Sequence, residues 1–197
     1  ALALFTTGMS ILALLGLGLA AGVAVASFAP LWKRNLRRTP LHTYGMVIAH
    51  FGIAVALVGM ACESSFTEER LVAAQPGDEI AVNQWKLRFE AIEPIAGPNW
   101  TALEARMTAQ YGDGAIHEIT PQNRMFAAAQ TQTSEAALLT RWNGQLYVVL
   151  GDGDSEGRWQ IRVWWKPFVP LIWYGGILVA LGGFLAMVGR LRRGYKQ

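Results

Sequence analysis

Long apolar runs near both ends of the chain enclose a central section in which apolar and polar positions alternate. Residues 8–32, 40–62 and 168–189 contain no Lys, Arg, Asp or Glu, and each is close to the roughly 20 residues with which an apolar helix crosses a bilayer. Between them, apolar side chains recur at every second position, as at Trp85, Leu87 and Phe89, which is the period of a half-buried strand. The pattern predicts three transmembrane helices and an all-β domain.

Turn signals divide the central section into short strands. The Gly, Asn and Asp residues of hairpin turns are concentrated at Tyr111–Gly114, Asn143-Gly144 and Gly151–Asp154. We expect the last strand to end at Lys166-Pro167. We expect about six strands in a small β-sandwich or open barrel. The fold class is therefore an α-helical membrane protein with an all-β extramembrane domain, in which three transmembrane helices flank the β-domain.

The ends of the apolar runs predict where the parts of the chain begin and end. Residues 1–39 hold a transmembrane helix and a basic loop, and residues 40–62 hold a second transmembrane helix. Residues 63–167 form the β-domain, and residues 168–197 form the last transmembrane helix with a basic tail. A signal peptide explains the first run less well, because its positive charges follow the apolar residues.

Charged residues are segregated along the chain. All 14 acidic residues lie between Glu63 and Glu156, and nine of the 17 basic residues lie between Arg70 and Lys166, whereas the other eight form two purely basic clusters at 33–38 and 190–196. Short cytoplasmic loops collect Lys and Arg, so we expect both clusters in the cytoplasm, in the inner membrane of a bacterium, with the β-domain in the periplasm. Because the basic clusters adjoin apolar helices, they do not indicate binding to nucleic acid.

Small residues recur along one side of the second and third apolar runs. Such positions let two helices approach closely within a membrane, so these helices are built to pack against neighbours. The small residues are Gly45, Ala49, Gly52, Ala56 and Gly59 in the second run, and Gly175-Gly176 and Gly182-Gly183 in the third.

His50 is an ionisable side chain near the middle of the second run, about ten residues from Pro40 and so roughly 15 Å along a helix. Ionisable groups inside a membrane span are rare and usually functional. Three roles stay open from the residues alone: a hydrogen bond to a neighbouring helix, a proton relay, or ligation of a metal or haem iron. A relay usually needs further ionisable groups in the span. Apart from His50, none lies between Tyr44 and Cys62, which argues against a proton pump or an ion-coupled transporter.

The remaining candidate residues predict little chemistry. We expect His42, near the start of the second run, to be solvated at the membrane interface, and His117 to be an ordinary surface histidine. We also expect the aromatic residues Trp164, Trp165, Trp173 and Tyr174 to be exposed at the outer interface. Cys62 is the sole cysteine, which excludes an internal disulfide.

Four stretches of the chain resemble the C-terminal part of the CcmF/NrfE-type cytochrome c haem lyases of the bacterial cytochrome c maturation system. Their order and spacing agree with the family over nearly the whole chain, and the first residue is Ala rather than Met, so we expect the chain to be a processed, trimmed or split part of a longer protein. The stretches are GMVIAHFGIAVALVGM (45–60), ITPQNRMFAAAQTQTSEAALL (119–139), QLYVVLGDG (145–153) and RVWWKPFVPLIWYGGILVALGGF (162–184).

The resemblance implies that His50 is one of two transmembrane histidines that hold the iron of a b-type haem. It also implies that the chain helps to attach haem covalently to apocytochrome c, an enzymatic reaction that forms carbon–sulfur bonds. The implied partners are the N-terminal part of the haem lyase, a haem-loaded chaperone, apocytochrome c and thiol-reducing maturation subunits. The second transmembrane histidine, the tryptophan-rich periplasmic segment and two periplasmic histidines belong to the family's N-terminal part.

A non-catalytic membrane scaffold is the alternative function. In that reading the small-residue helices pack against partner subunits, and His50 only hydrogen-bonds a neighbouring helix. An optical spectrum of the chain with its partners distinguishes the two, because only a ligated haem produces a pigment that depends on His50.

Overall fold

The computed structural model describes residues 9–194, which divide into two compact units. The helical unit comprises the described residues up to Phe66 and from Pro167 onward, and the β-unit comprises Thr67–Lys166. Residues 1–8 of the first predicted part, which include the start of the first apolar run, and residues 195–197 of the basic tail lie outside the described residues.

Three helices of the helical unit are long and apolar enough to cross a membrane. They are α1 (Ile11–Phe28), α2 (Leu41–Phe66) and α3 (Pro170–Gly194), and short 3₁₀ turns at Ala29–Leu31 and Leu36–Arg38 join the first two. The helix α2 continues to Phe66, four residues beyond the apolar run, because nothing in Glu63-Ser64-Ser65 breaks a helix. Pro167 and Pro170 mark the change from strand to helix at the start of α3.

Glycines of α2 and α3 bring the two backbones into direct contact. A Cβ on Gly52 would lie 2.7 Å from the carbonyl oxygen of Gly175, and a Cβ on Gly182 would lie 2.5 Å from the carbonyl oxygen of Gly45. Even a methyl side chain would clash with the backbone of the other helix at these positions, so only glycine allows the two helices to pack this closely. The small-residue face predicted for α2 therefore packs on α3, whereas Gly176 and Gly183 have no neighbour within 4 Å.

The helix α1 packs against the opposite side of α2 through a narrow stripe of small residues. Ala13, Ala20 and Ser27, seven residues apart, are the buried residues of α1. At the N-terminal end of this contact Ala13 packs with Met9 and Ala61. At the other end the rings of Phe28 and Phe51 lie 5.5 Å apart between centroids. This contact positions the C-terminal end of α1 beside the turn of α2 that carries His50.

Two antiparallel sheets form the β-unit. One has the strand order β1-β10-β9-β8, and the other has the order β2-β3-β4-β6-β7 with β5 also paired to β4. The strands are β1 (Glu68–Ala74), β2 (Glu79–Val82), β3 (Trp85–Ala96), β4 (Trp100–Tyr111), β5 (Ile116–Ile119), β6 (Gln122–Phe126), β7 (Thr131–Glu135), β8 (Ala137–Arg141), β9 (Gly144–Gly153) and β10 (Trp159–Pro167).

Side chains from the inner faces of both sheets fill the core of the sandwich. Trp85, Leu87 and Phe89 come from one sheet and Leu146, Val148 and Ile161 from the other, and each is at most 1% exposed. Full burial of such side chains stabilises a fold by about 1.5–3 kcal/mol each. The predicted fold class, three apolar helices flanking a β-sandwich, is confirmed.

Details of the β-unit differ from the prediction. The described residues contain ten strands rather than six, because the polar strands β6 and β7 and the exposed strand β1 lack the alternating pattern. The strand β9 continues through Gly153, so the last turn lies at Asp154–Arg158 rather than at Gly151–Asp154. Trp165, expected to be exposed, is only 4% exposed in the core, because its position on β10 faces the opposite sheet.

Candidate functional site

His50 lies on α2 and is oriented by its own helix. Its Nδ1 atom is 2.8 Å from the carbonyl oxygen of Met46, one helical turn earlier. A carbonyl oxygen only accepts hydrogen bonds, so this contact requires the proton on Nδ1. The other ring nitrogen, Nε2, then carries a lone pair, which is the form in which imidazole binds a metal.

A cavity of about 240 Å³ lies beside this ring, within the helical unit. Its walls come from α1 and its C-terminal turn and from α2: Val23, Ala26, Ser27, Pro30, Met46 and His50. The Ser27 hydroxyl donates to the carbonyl oxygen of Val23 at 2.6 Å, so it is already satisfied within α1. The cavity therefore offers an apolar wall beside an imidazole, and His50 itself is exposed on the described unit.

The residues of this site differ in how well the sequence predicts them. The sequence identifies His50, because a histidine stands out in an apolar run. It does not identify Val23, Ala26 or Ser27, since their role depends on how α1 packs against α2. Within the described residues, no group of three or more His, Cys, Asp or Glu side chains is arranged to hold a metal ion.

His42 lies eight residues before His50 but has different surroundings. Its backbone packs against Gly189 of α3, and its Nδ1 atom is buried without a hydrogen-bond partner in the described part of the chain. The expectation that His42 is solvated is therefore wrong for this atom, because the close approach of α2 and α3 removes it from solvent. His117 is exposed on β5, as expected.

The family described as "CcmF C-terminal beta-sandwich" matches residues 65–167 of the chain. The cytochrome c-type biogenesis protein CycK of Bradyrhizobium diazoefficiens is 34% identical over 202 residues, covering 96% of this chain and 31% of that protein. The cytochrome c-type biogenesis protein CcmF of Escherichia coli is 32% identical over 186 residues, covering 93% of this chain and 29% of that protein.

A solved structure, that of the cytochrome c haem lyase CcmF, has the same fold. It aligns with 91% of this chain at a TM-score of 0.75 and 18% sequence identity, and the alignment covers 31% of the solved chain. The chain thus spans less than a third of the length of these relatives. The family match over residues 65–167 and the identity to these relatives show that the chain belongs to the CcmF family of bacterial membrane proteins for cytochrome c biogenesis and corresponds to their C-terminal part.

Proposed function

We propose that this chain supplies, through His50, one axial ligand to a b-type haem in a membrane cytochrome c haem lyase. The observation that carries the proposal is the hydrogen bond from Nδ1–H to the Met46 carbonyl oxygen, 2.8 Å long. Metal-bound histidines commonly donate their other N–H to a carbonyl or carboxylate, which fixes the tautomer and increases the basicity of the ligating nitrogen. His50 has this arrangement.

The surroundings of His50 suit a flat apolar cofactor. The cavity wall from α1 consists of Val23, Ala26, Ser27 and Pro30, and none of these residues offers a charge. Among the described residues, His50 hydrogen-bonds only its own helix, so nothing in α1 or α3 already uses its Nε2 atom. The second axial ligand comes, in this proposal, from the N-terminal part of the haem lyase.

A haem held by His50 would supply one-electron transfer: reduced by an external electron donor, it would pass the electron on and keep the iron of the substrate haem reduced during attachment to apocytochrome c. The contribution of this chain is to orient the imidazole and to exclude water from one side of it. The thioether bonds form between cysteines of the apocytochrome and vinyl groups of the substrate haem, so the chain needs no nucleophile of its own.

The test is an optical spectrum of the chain purified with the rest of the haem lyase. In the reduced wild type we expect the absorption bands of a b-type haem, and we expect His50→Ala to lose them. His50→Gly with added imidazole should recover them, because a free imidazole fits the space left by the side chain. Met60→Ala is the control, since it truncates an exposed side chain of the same helix outside the cavity. Full pigment in purified His50→Ala protein would refute the ligand role.

We further propose that the β-unit lies in the periplasm, where it helps to present apocytochrome c or to dock the haem-loaded chaperone and the thiol-reducing subunits. The acidic residues of the chain are concentrated in this unit, and basic clusters flank the helices. Deletion of residues 70–160 with the helices retained should abolish co-purification of these partners. Retention of all of them would count against this role.

A further inference from the structure

A second group of candidate binding residues lies at the end of the sandwich where the chain enters and leaves the β-unit. Trp85, Tyr111 and Trp165 form an aromatic cluster there, with ring centroids 5.2–6.0 Å apart. The guanidinium carbon of Arg141 lies 4.4 Å from the centroid of the Tyr111 ring, so an arginine is stacked on this cluster. The proposed function uses none of these residues.

Two nitrogen donors in this group have no acceptor. The Nε1 atom of Trp85 and the Nε atom of Arg141 are both buried without a hydrogen-bond partner among the described residues, and Trp85 as a whole is 1% exposed. No carboxylate in the described part of the chain pairs with Arg141. The Oδ1 atom of Asn143, whose Nδ2 donates to the Tyr111 hydroxyl at 3.4 Å, is also buried without a partner among the described residues. Buried N–H groups are nearly always satisfied in folded proteins, so the two donors beside one cavity point to an acceptor that binds there.

Both residues line one cavity of about 340 Å³ within the β-unit. Its other walls are His117, Leu139, Thr140 and Trp142, with no acidic side chain among them. Trp142 is 73% exposed, so its indole presents a large apolar surface beside the cavity. The cavity thus combines one permanent positive charge, two N–H donors without acceptors and an exposed aromatic side chain.

We propose that this cavity binds a carboxylate carried on a flat aromatic body. The guanidinium of an arginine is a planar fork that matches the two oxygens of a carboxylate, and a small shift of the side chains lining the cavity gives the ligand access to the buried N–H groups of Arg141 and Trp85. One positive charge balances one carboxylate, and the Trp142 indole provides a surface for a ring. The substrate haem of the proposed function carries two propionates of this kind, and that identification of the ligand rests on the proposed function.

The experiment uses the full chain in dodecyl maltoside, which has no phosphate headgroup, with the tryptophan indoles labelled with ¹⁵N. The probe is indole-3-propionate, a small ring that bears a propionate, and its matched control is the neutral indole-3-propionamide. Neither contains iron, so binding does not depend on His50. Trp85→Phe identifies the Trp85 indole N–H signal.

We expect indole-3-propionate to move the Trp85 indole proton signal downfield with saturation, and the amide to leave it in place. Arg141→Gln should weaken binding about tenfold or more, because a charge-assisted pair is lost. Arg70→Gln, which removes an exposed arginine of β1, should leave the affinity within about twofold. The signals of the other seven indoles report whether each variant is folded.

Several results would overturn the proposal. They are equal shifts with the acid and the amide, unchanged affinity in folded Arg141→Gln, and tighter binding of inorganic phosphate or of plain propionate than of indole-3-propionate. The comparison of acid with amide needs no variant, so the proposal stays testable if Arg141→Gln fails to fold. A negative result here would leave the His50 spectrum unaffected, which separates this inference from the proposed function.

Discussion

Single glycines determine how closely α2 and α3 approach. Gly52→Ala places a Cβ against the Gly175 carbonyl oxygen and against the Cβ of Leu178, 2.8 Å away. Because neither backbone can move aside freely, we expect a loss of about 1–3 kcal/mol in stability, as for other overpacked contacts. Thermal unfolding of the purified chain in detergent measures the change.

The matched control for that change is Gly183→Ala, since a Cβ there has no neighbour within 4 Å. Alanine is the better helix former by about 1 kcal/mol, so this variant should be as stable as the wild type or slightly more stable. Equal destabilisation by the two substitutions would show that α2 and α3 do not pack through these glycines.

Asp154 closes the turn between β9 and β10. Backbone N–H groups of Arg158 and Glu156 donate to its carboxylate, at 2.8 and 2.9 Å, and the Arg158 side chain pairs with it at 2.9 Å. These contacts, first among them the hydrogen bond from the Arg158 backbone, hold the pKa of Asp154 below its ordinary value. The turn is therefore stabilised while this carboxylate is ionised.

The downward shift of the Asp154 pKa determines the pH range in which this carboxylate stabilises the turn. A carboxylate whose pKa is lowered by folding stabilises the folded state at pH values above its unfolded-state pKa of about 3.9. This stabilisation is lost as the pH falls through the lower pKa of the folded state. Asp154→Asn should therefore speed hydrogen exchange at the Glu156 and Arg158 amides near neutral pH. The difference from wild type should vanish in strong acid, and a difference that is independent of pH would contradict this account.

The contact between α1 and α2 makes a prediction for the proposed haem site. Ala26 lines the cavity beside His50, so Ala26→Leu should fill part of it and lower the haem content of the purified lyase severalfold. Ala21 is exposed on the same helix and lies outside the cavity, which makes Ala21→Leu the matched control. Haem content per protein, measured after denaturation, checks the outcome.

An unchanged haem content in Ala26→Leu, with the protein folded, would mean that the cofactor does not use the cavity formed by α1. The haem would then approach the His50 imidazole from the side that faces away from α1. The two variants differ by the position of one leucine, so a general effect of added bulk on α1 would appear in both.

The helices and the buried strands could be predicted from sequence because burial sets a regular pattern. The apolar runs have the length of a bilayer, and the alternation from Trp85 to Phe89 follows the inner face of one sheet. The strand β7 could not be predicted in this way. All five of its residues are exposed, and pairing with β6 rather than burial holds Thr131–Glu135 extended.

The candidate sites show the same limit. His50 could be found because one polar residue in an apolar run is visible in sequence, whereas its neighbours on α1 depend on the packing of two helices. The Arg141 cavity joins residues of β3, β5 and β8, so no local motif contains it. Its clearest signal, two donors without acceptors, exists only in the folded structure.

At the scale of the whole molecule, the proposed topology predicts which residues are accessible from each side of the membrane. In a Cys62→Ser background, Asp113→Cys, in a turn of the β-unit, should react with a membrane-impermeant maleimide in cells with a permeabilised outer membrane. Asn35→Cys, in the basic loop, should react only after the inner membrane is broken. Reaction of Asn35→Cys in intact inner membranes would reverse the proposed orientation.

The contact between α2 and α3 joins helices that the ribosome makes far apart in time. α2 ends at Phe66 and α3 begins at Pro170, so roughly 100 residues separate them, which takes about 5–20 s to translate at ~5–20 residues per second. During that interval the groove of Gly45, Gly52 and Gly59 is in the bilayer without α3. Lipid or another helix with small residues must occupy it first, and α3 must displace that occupant when it inserts.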